Sequence, residues 1–303
     1  MARLLKVLGV SVGALLLLAA VGVAAVYAWT GAQIEKKLPL PSHDFVAPSD
    51  TASATRGEHV VRALVKCAEC HGADLGGMVV IEDPALGTIQ APNLTRGRGG
   101  VGAARSDADL ERAVRHGLAS DGRRLAMMPS SEYQHISDED LGAIIAYLRT
   151  LAPVDRESGP QKLKLMARGL YAAGLFPLFE ASKVTHRDEA VPSVPVDSTV
   201  AYGKYLGDIG CAGCHGATYG GGAIPGAPPE WPKAANLTPE GIGHYSFADF
   251  DQVLRTGTRP DGSQLNASMP IMPIVATKLM TPVEMRAMYL YLASLPPKPF
   301  GSR

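Results

Sequence analysis

Cysteine is scarce in this 303-residue sequence: there are four, Cys67, Cys70, Cys211 and Cys214, and two short motifs take up all of them. No thiol is left for a structural disulfide, a lipid anchor or a separate reactive site. Excess charge is also lacking, since 29 basic and 29 acidic side chains give a formal net charge of zero. A nucleic-acid binder that depends on a strongly basic surface is thereby disfavoured. Charge is missing altogether from Val7 to Trp29, a run of 23 residues. At 1.5 Å per residue such a run makes roughly 34 Å of helix, enough to cross a bilayer with slight tilt. Arg3 and Lys6 ahead of it hold the N-terminus in the cytoplasm, and Tyr27 and Trp29 fall at the outer interface. The apolar region of a cleaved signal peptide is shorter, about 7 to 15 residues, so the run reads as an uncleaved anchor. The small residues from Ala24 to Ala32 keep cleavage open as the alternative. Either way, the rest of the chain is exported.

The two motifs are Cys67-Ala-Glu-Cys70-His71 and Cys211-Ala-Gly-Cys214-His215. In an exported protein, Cys-x-x-Cys-His reads as a covalent haem attachment site: the thiols form thioethers with the porphyrin, and the histidine ligates the iron. A single copy is ambiguous, because a zinc knuckle or a redox dithiol contains the same letters. The surrounding sequence repeats with the motif, however. Pro92-Asn93-Leu94-Thr95 is matched by Ala235-Asn236-Leu237-Thr238, Arg115-His116-Gly117 by Arg255-Thr256-Gly257, and Asp121-Gly122 by Asp261-Gly262. A duplicated unit of about 144 residues accounts for these pairs. Two covalently bound haem c groups are the implied cofactors.

Methionine is the soft ligand that closes the other face of such an iron and raises its potential. His71 and Met128 are 57 residues apart, and so are His215 and Met272. That agreement favours Met272, whereas the distance from Asp261-Gly262 favours Met269, so Met269 stays the alternative second ligand. Pro129 after Met128 and Pro273 after Met272 select Met128 over Met127.

These pieces, with Ser137-Asp-Glu-Asp140-Leu141, Ala146-Tyr147-Leu148, Tyr202-Gly203-x-Tyr205-Leu206 and Tyr291-Leu292, resemble the di-haem class I c-type cytochrome family. That family includes the cytochrome c subunits of membrane-bound periplasmic dehydrogenases. The resemblance runs from about residue 50 onward. It implies an all-α protein: two tandem class I cytochrome c domains behind an N-terminal transmembrane helix. The expected divisions are an anchor over 1–30, a tether over 31–55, domains over 56–154 and 199–303, and a connector over 155–198. Similar subunits commonly carry three haem domains, and this chain carries two motifs. Pro92 has no counterpart at Ala235, so the second pocket is expected to be held differently.

Local signals place the remaining elements. Ser106, Ser137 and Thr281 read as helix caps, the last followed by proline at the first helical position. The resemblance implies that the last helix of each domain crosses the first beside the haem, with Tyr147 and Tyr291 near the contact. The stretch from Gly72 to Gly102 reads as an irregular loop, and Leu163 to Leu175 has helical potential within the connector. The connector is expected to pack across both domains and fix the distance between the haems. Arg115, Arg255, Asn93 and Asn236 are candidate propionate or loop partners. His43, His59, His116, His135, His186 and His244 read as surface or loop residues.

With His71 and Met128 on one iron and His215 and Met272 on the other, no position is open for substrate. The expected function is one-electron relay in a periplasmic respiratory chain, with no catalysis of its own. The expected setting is the inner membrane, single-pass, with the haem domains on the periplasmic side. A periplasmic dehydrogenase or quinol-oxidising complex is the expected donor and another cytochrome or a terminal oxidase the acceptor. A di-haem peroxidase-like enzyme with one open iron and a mainly structural docking subunit are the alternatives.

Overall fold

The computed structural model of the protein describes residues 2–265 and 276–303. Helix α1 (Ala2–Ile34) is apolar on all sides and exposes Leu4, Leu8, Leu15 and Leu18 alike. A helix of this kind has no face to pack on a core and needs an apolar surround. It is the one helix among the described residues long and apolar enough to cross a membrane. The first half carries α2 (Thr51–His59), α3 (Ala68–His71), α4 (Asp107–His116), α5 (Ser130–Tyr133) and α6 (Asp138–Thr150). After α7 (Leu165–Ala172), the second half carries α8 (Val200–Gly210), α9 (Ala212–His215), α10 (Pro239–Ile242), α11 (Phe247–Thr256) and α12 (Pro282–Ser294).

The caps form as the sequence indicates. Ser106 and Asp109, and Thr281 and Glu284, make reciprocal capping boxes, and Ser137 Oγ accepts from Asp140 N at 3.1 Å. In each half the first and last helices cross tightly, α2 on α6 and α8 on α12. Gly57 and Gly203 make the close approach possible: a Cβ would stand 1.8 Å from Ala143 O in one and 2.0 Å from Ala287 O in the other. Tyr147 and Tyr291 cover the same crossings, as expected from their positions. Gly203→Ala is therefore expected to cost about 1–3 kcal/mol, because a backbone carbonyl has to move. A lowered denaturant midpoint in far-ultraviolet dichroism is the check.

The two crossings are not at the same distance from their motifs. Two more residues separate Gly57 from Cys67 than separate Gly203 from Cys211. The excess is absorbed by a π-helical turn at Val60–Leu64 and by Lys66, which turns left-handed at φ 56°.

The all-α expectation needs correction. Met78–Asp83 (β1), Gly87–Ala91 (β2) and Lys162–Leu163 (β3) form a small antiparallel sheet with β2 in the middle. The middle of the stretch read as an irregular loop is thus a hairpin, rich in β-branched Val79, Val80, Ile81, Thr88 and Ile89. Asp83 Oδ1 accepts from Ala85 N and Leu86 N to make the turn, and Gly87, at φ 105°, closes it. A bulge between Val79 and Ile81 breaks the alternation that would have revealed the strand.

One apolar cluster runs through both halves, from Val60, Leu64 and Ile145 to Tyr202, Ile209, Met285 and Leu292. A second holds Ile89, Ala167, Phe176, Leu178 and Phe179, with Ile34 from the end of α1 packed against it. The connector is therefore structured, and it touches both halves. Val191 N donates to Asp138 Oδ1 at 3.0 Å, while Val194 packs on the main cluster and Pro177 lies against Gly226. The segment read as a tether lies along the first half, with Phe45 buried and Pro48 against Gly142.

Candidate functional site

Each Cys-x-x-Cys-His stretch forms a single helical turn, with His71 N donating to Cys67 O at 2.9 Å and His215 N to Cys211 O at 3.0 Å. One turn brings residues i and i+3 to the same side, so the paired thiols face one surface with the histidine beside them. None of the four thiols is in a disulfide. Burial pushes Cys67 up to about 12 and Cys211 up to about 11, with smaller contributions from neighbouring charges. A disulfide-exchange centre needs the opposite shift.

Both imidazoles are nearly buried, His71 at 9% exposure and His215 at 4%. His71 Nδ1 lies 2.8 Å from Pro92 O, and His215 Nδ1 lies 2.8 Å from Ala235 O. A carbonyl only accepts, so Nδ1 carries the hydrogen and Nε2 keeps its lone pair. Burial lowers both groups, His215 to about 4, and keeps them neutral against the opposing carbonyl hydrogen bonds. The expected difference at Pro92 is thereby corrected. The contact is made by the main-chain carbonyl, which alanine supplies as well as proline does.

Met128 packs on the main cluster, the one joined by Cys67, Leu94 and Val114. Met127, left-handed at φ 57°, packs on the second cluster with Phe179. The two adjacent methionines thus part to different cores, and it is Met128 that shares one with Cys67. Met272 and Met269 lie outside the described residues.

The asparagines and arginines are loop clamps. Asn93 Nδ2 donates to Val154 O at 2.6 Å while its Oδ1 accepts from Thr95 N at 2.9 Å. Asn236 repeats this with Lys298 O at 2.7 Å and Thr238 N at 2.9 Å. Arg115 is buried against Glu111 and Asp138 and donates to Ile136 O, and Arg255 pairs with Asp251 and reaches Met280 O.

The histidine reading needs correction at two positions. His116 is 1% exposed, with Nδ1 3.2 Å from His186 Nδ1 and Nε2 3.4 Å from Glu111 Oε1. His59 donates through Nε2 to Glu284 in the other half at 2.8 Å. His59 depends on a partner far away in sequence, and His116, although Glu111 is only five residues back, is covered by the distant His186.

The two motif turns adjoin. Lys66, the residue before Cys67, donates through Nζ to Gly210 O, the residue before Cys211, at 2.9 Å. The Glu132 carboxylate lies against Gly213 inside the second motif. Burial raises the Glu132 carboxyl, against Lys66 and the Gly213 N–H, which favour its charged form. Arg303 closes the far side, donating to Cys214 O at 2.7 Å and Gly213 O at 3.0 Å.

Paired thiols on one turn, an imidazole with only Nε2 to offer and, in the first half, a thioether on the same apolar cluster together fit a covalently held haem c. A family model described as cytochrome c oxidase, cbb3-type, subunit III matches residues 52–148, and one described as cytochrome c matches residues 200–296. The chain is 28% identical over 276 residues to the alcohol dehydrogenase (quinone), cytochrome c subunit, of Komagataeibacter europaeus, covering 83% of this chain and 58% of that protein. It is 31% identical over 246 residues to the gluconate 2-dehydrogenase cytochrome c subunit of Pantoea cypripedii, covering 69% and 52%. It is 28% identical over 275 residues to a protein named diheme cytochrome c-type in Cereibacter sphaeroides, covering 81% and 87%. The chain thus spans little more than half the length of the two dehydrogenase subunits.

Proposed function

This chain belongs to the class I c-type cytochrome family, related to cytochrome c subunits of periplasmic dehydrogenase and oxidase complexes, and from that premise we propose a membrane-anchored two-haem electron relay. The observation that carries the reading is the repeated histidine geometry. Both imidazoles sit beside paired thiols, and both are tied through Nδ1 to a carbonyl at 2.8 Å. When bound, haem c supplies a one-electron ferric/ferrous couple.

Cys67, Cys70, Cys211 and Cys214 would hold the two groups covalently. His71 and His215 would be the proximal ligands through Nε2, with Met128 and Met272 as the distal ones. Pro92 O and Ala235 O orient the imidazoles and make them better donors. Lys66 and Glu132 hold the second attachment turn against the first, which suits transfer within one chain. The domains would be 56–154 and 199–303. Helix α1 would span the inner membrane with Arg3 and Lys6 inside, placing both domains in the periplasm. The donor would be a periplasmic dehydrogenase or quinol-oxidising complex, and the acceptor another cytochrome or a terminal oxidase.

The test is spectroscopic, on full chain purified from membranes. Two covalent haems per chain and low-spin spectra that carbon monoxide does not change are the expected result. One haem, or an iron that binds carbon monoxide in the unaltered protein, overturns the relay. Met128→Ala is expected to make one of the two sites carbon-monoxide-reactive and to lower its midpoint potential, because the thioether favours the ferrous state. Met127→Ala is expected to leave both spectra unchanged.

A further inference from the structure

Helix α7 sits against the last turns of α1. The Trp29 and Tyr171 ring centroids are 5.6 Å apart, the Arg168 guanidinium lies 4.7 Å from the centre of the Tyr27 ring, and Arg168 Nη1 donates to Thr30 Oγ1 at 2.8 Å. If the hydrocarbon span begins near Val7, about 20 residues at 1.5 Å each bring the chain to the opposite headgroups at Tyr27 to Thr30. The contacts with α1 therefore hold α7 at headgroup depth.

The rest of the segment suits that depth. Ala167 and Leu170 face the second apolar cluster, while Leu165, Met166 and Leu175 face outward at 42%, 54% and 64% exposure. Between Glu157 and Glu180 the charged residues are Lys162, Lys164 and Arg168, all basic. Exposed apolar side chains with basic flanks and aromatic neighbours are the composition of a helix that lies in the plane of a membrane surface.

We infer that α7 and Leu175 are a second membrane contact, which docks on anionic phospholipid beside the exit of α1 and sets the height and tilt of the first domain over the bilayer. The inference rests on α1 spanning the membrane. Its occupant follows from charge complementarity and from continuity with that span. Lipid-facing Leu165, Met166 and Leu175 supply the apolar part and Lys162 meets the phosphates, while Lys164 donates through Nζ to Pro84 O at 2.8 Å beside Asp83 and ties the segment to the hairpin. Arg168 links the two helices, so the docked segment cannot leave the surface without disturbing the end of α1.

The test uses the full-length holoprotein, Met166→Cys, labelled with an environment-sensitive dye and reconstituted into vesicles of phosphatidylcholine with or without phosphatidylglycerol. The expected result is emission quenched by nitroxide-bearing lipid and shielded from aqueous iodide when phosphatidylglycerol is present. Lys162→Gln is expected to weaken docking about fivefold. Protein that floats with the vesicles while the dye stays open to iodide overturns the inference and leaves the anchor intact. A dye shielded from both quenchers also overturns it, since protein then covers the face. Protein that does not float overturns the anchor and the inference together.

Discussion

Cys211→Ala combined with Cys214→Ala is expected to leave one covalent haem per chain and to abolish electron transfer through the second domain. The thiols are half-buried, unpaired and placed on one turn, and the two other cysteines belong to the first motif, so neither can replace them as attachment points. His215 alone could hold an iron only by coordination, which denaturing solvent releases. Haem stain on a denaturing gel and the haemochrome absorbance per chain should both fall by half. The second domain is expected to lose cooperative folding as well, since Cys211 and Ala212 pack on the apolar cluster that the porphyrin would complete. The first domain should keep its own spectrum but gain mobility, because Lys66 and Glu132 brace directly on this turn. Two haems persisting in the double variant would show that the motif does not attach them.

What could be read from the chain and what could not divide along a physical line. Caps were legible because Ser106, Ser137 and Thr281 find their partners three residues on, within one turn. The motif turns and the duplication were legible because the paired thiols and histidine recur together with the Asn-Leu-Thr and Asp-Gly pieces that follow them. The hairpin was hidden by a bulge, and the π-helical turn by the absence of any local sign that two extra residues must be absorbed. Met128 and Met127 were distinguishable only through the proline that follows, and the structure separates them by which core each enters. The polar contacts between domains were out of reach. Arg56, His59, Tyr202 and Tyr205 look like ordinary helix residues until both domains are in place.

Those contacts underlie the second large effect: Glu284→Ala is expected to destabilise the protein by about 3–5 kcal/mol, the range for removing one member of a buried ionic group. Glu284 has a side chain only 1% exposed, and it sits at the capping position of α12 that Asp140 occupies in α6. It accepts from His59 Nε2 at 2.8 Å, Arg56 Nη1 at 3.4 Å and Tyr202 OH at 3.3 Å, and caps Thr281 N at 2.8 Å. Asp140 completes the group, taking Arg56 Nε at 2.8 Å and Tyr205 OH at 2.7 Å. Each domain thus offers the acid at the start of its last helix to the other domain, and Arg56 is shared between the two. Burial works to raise the Glu284 carboxyl, but the hydrogen bonds from His59 and Thr281 outweigh it and leave the group below the ordinary 4.5. A carboxyl lowered by folding stabilises fully above its unfolded pKa, and the contribution disappears as pH falls through the lower folded value. Wild-type protein should therefore lose this stability only below about pH 4.5. Glu284→Gln keeps the shape and removes the charge, so its denaturant midpoint should be lower at neutral pH and should fall less on acidification. A midpoint with the same pH dependence in both proteins would remove Glu284 as the lock between the domains.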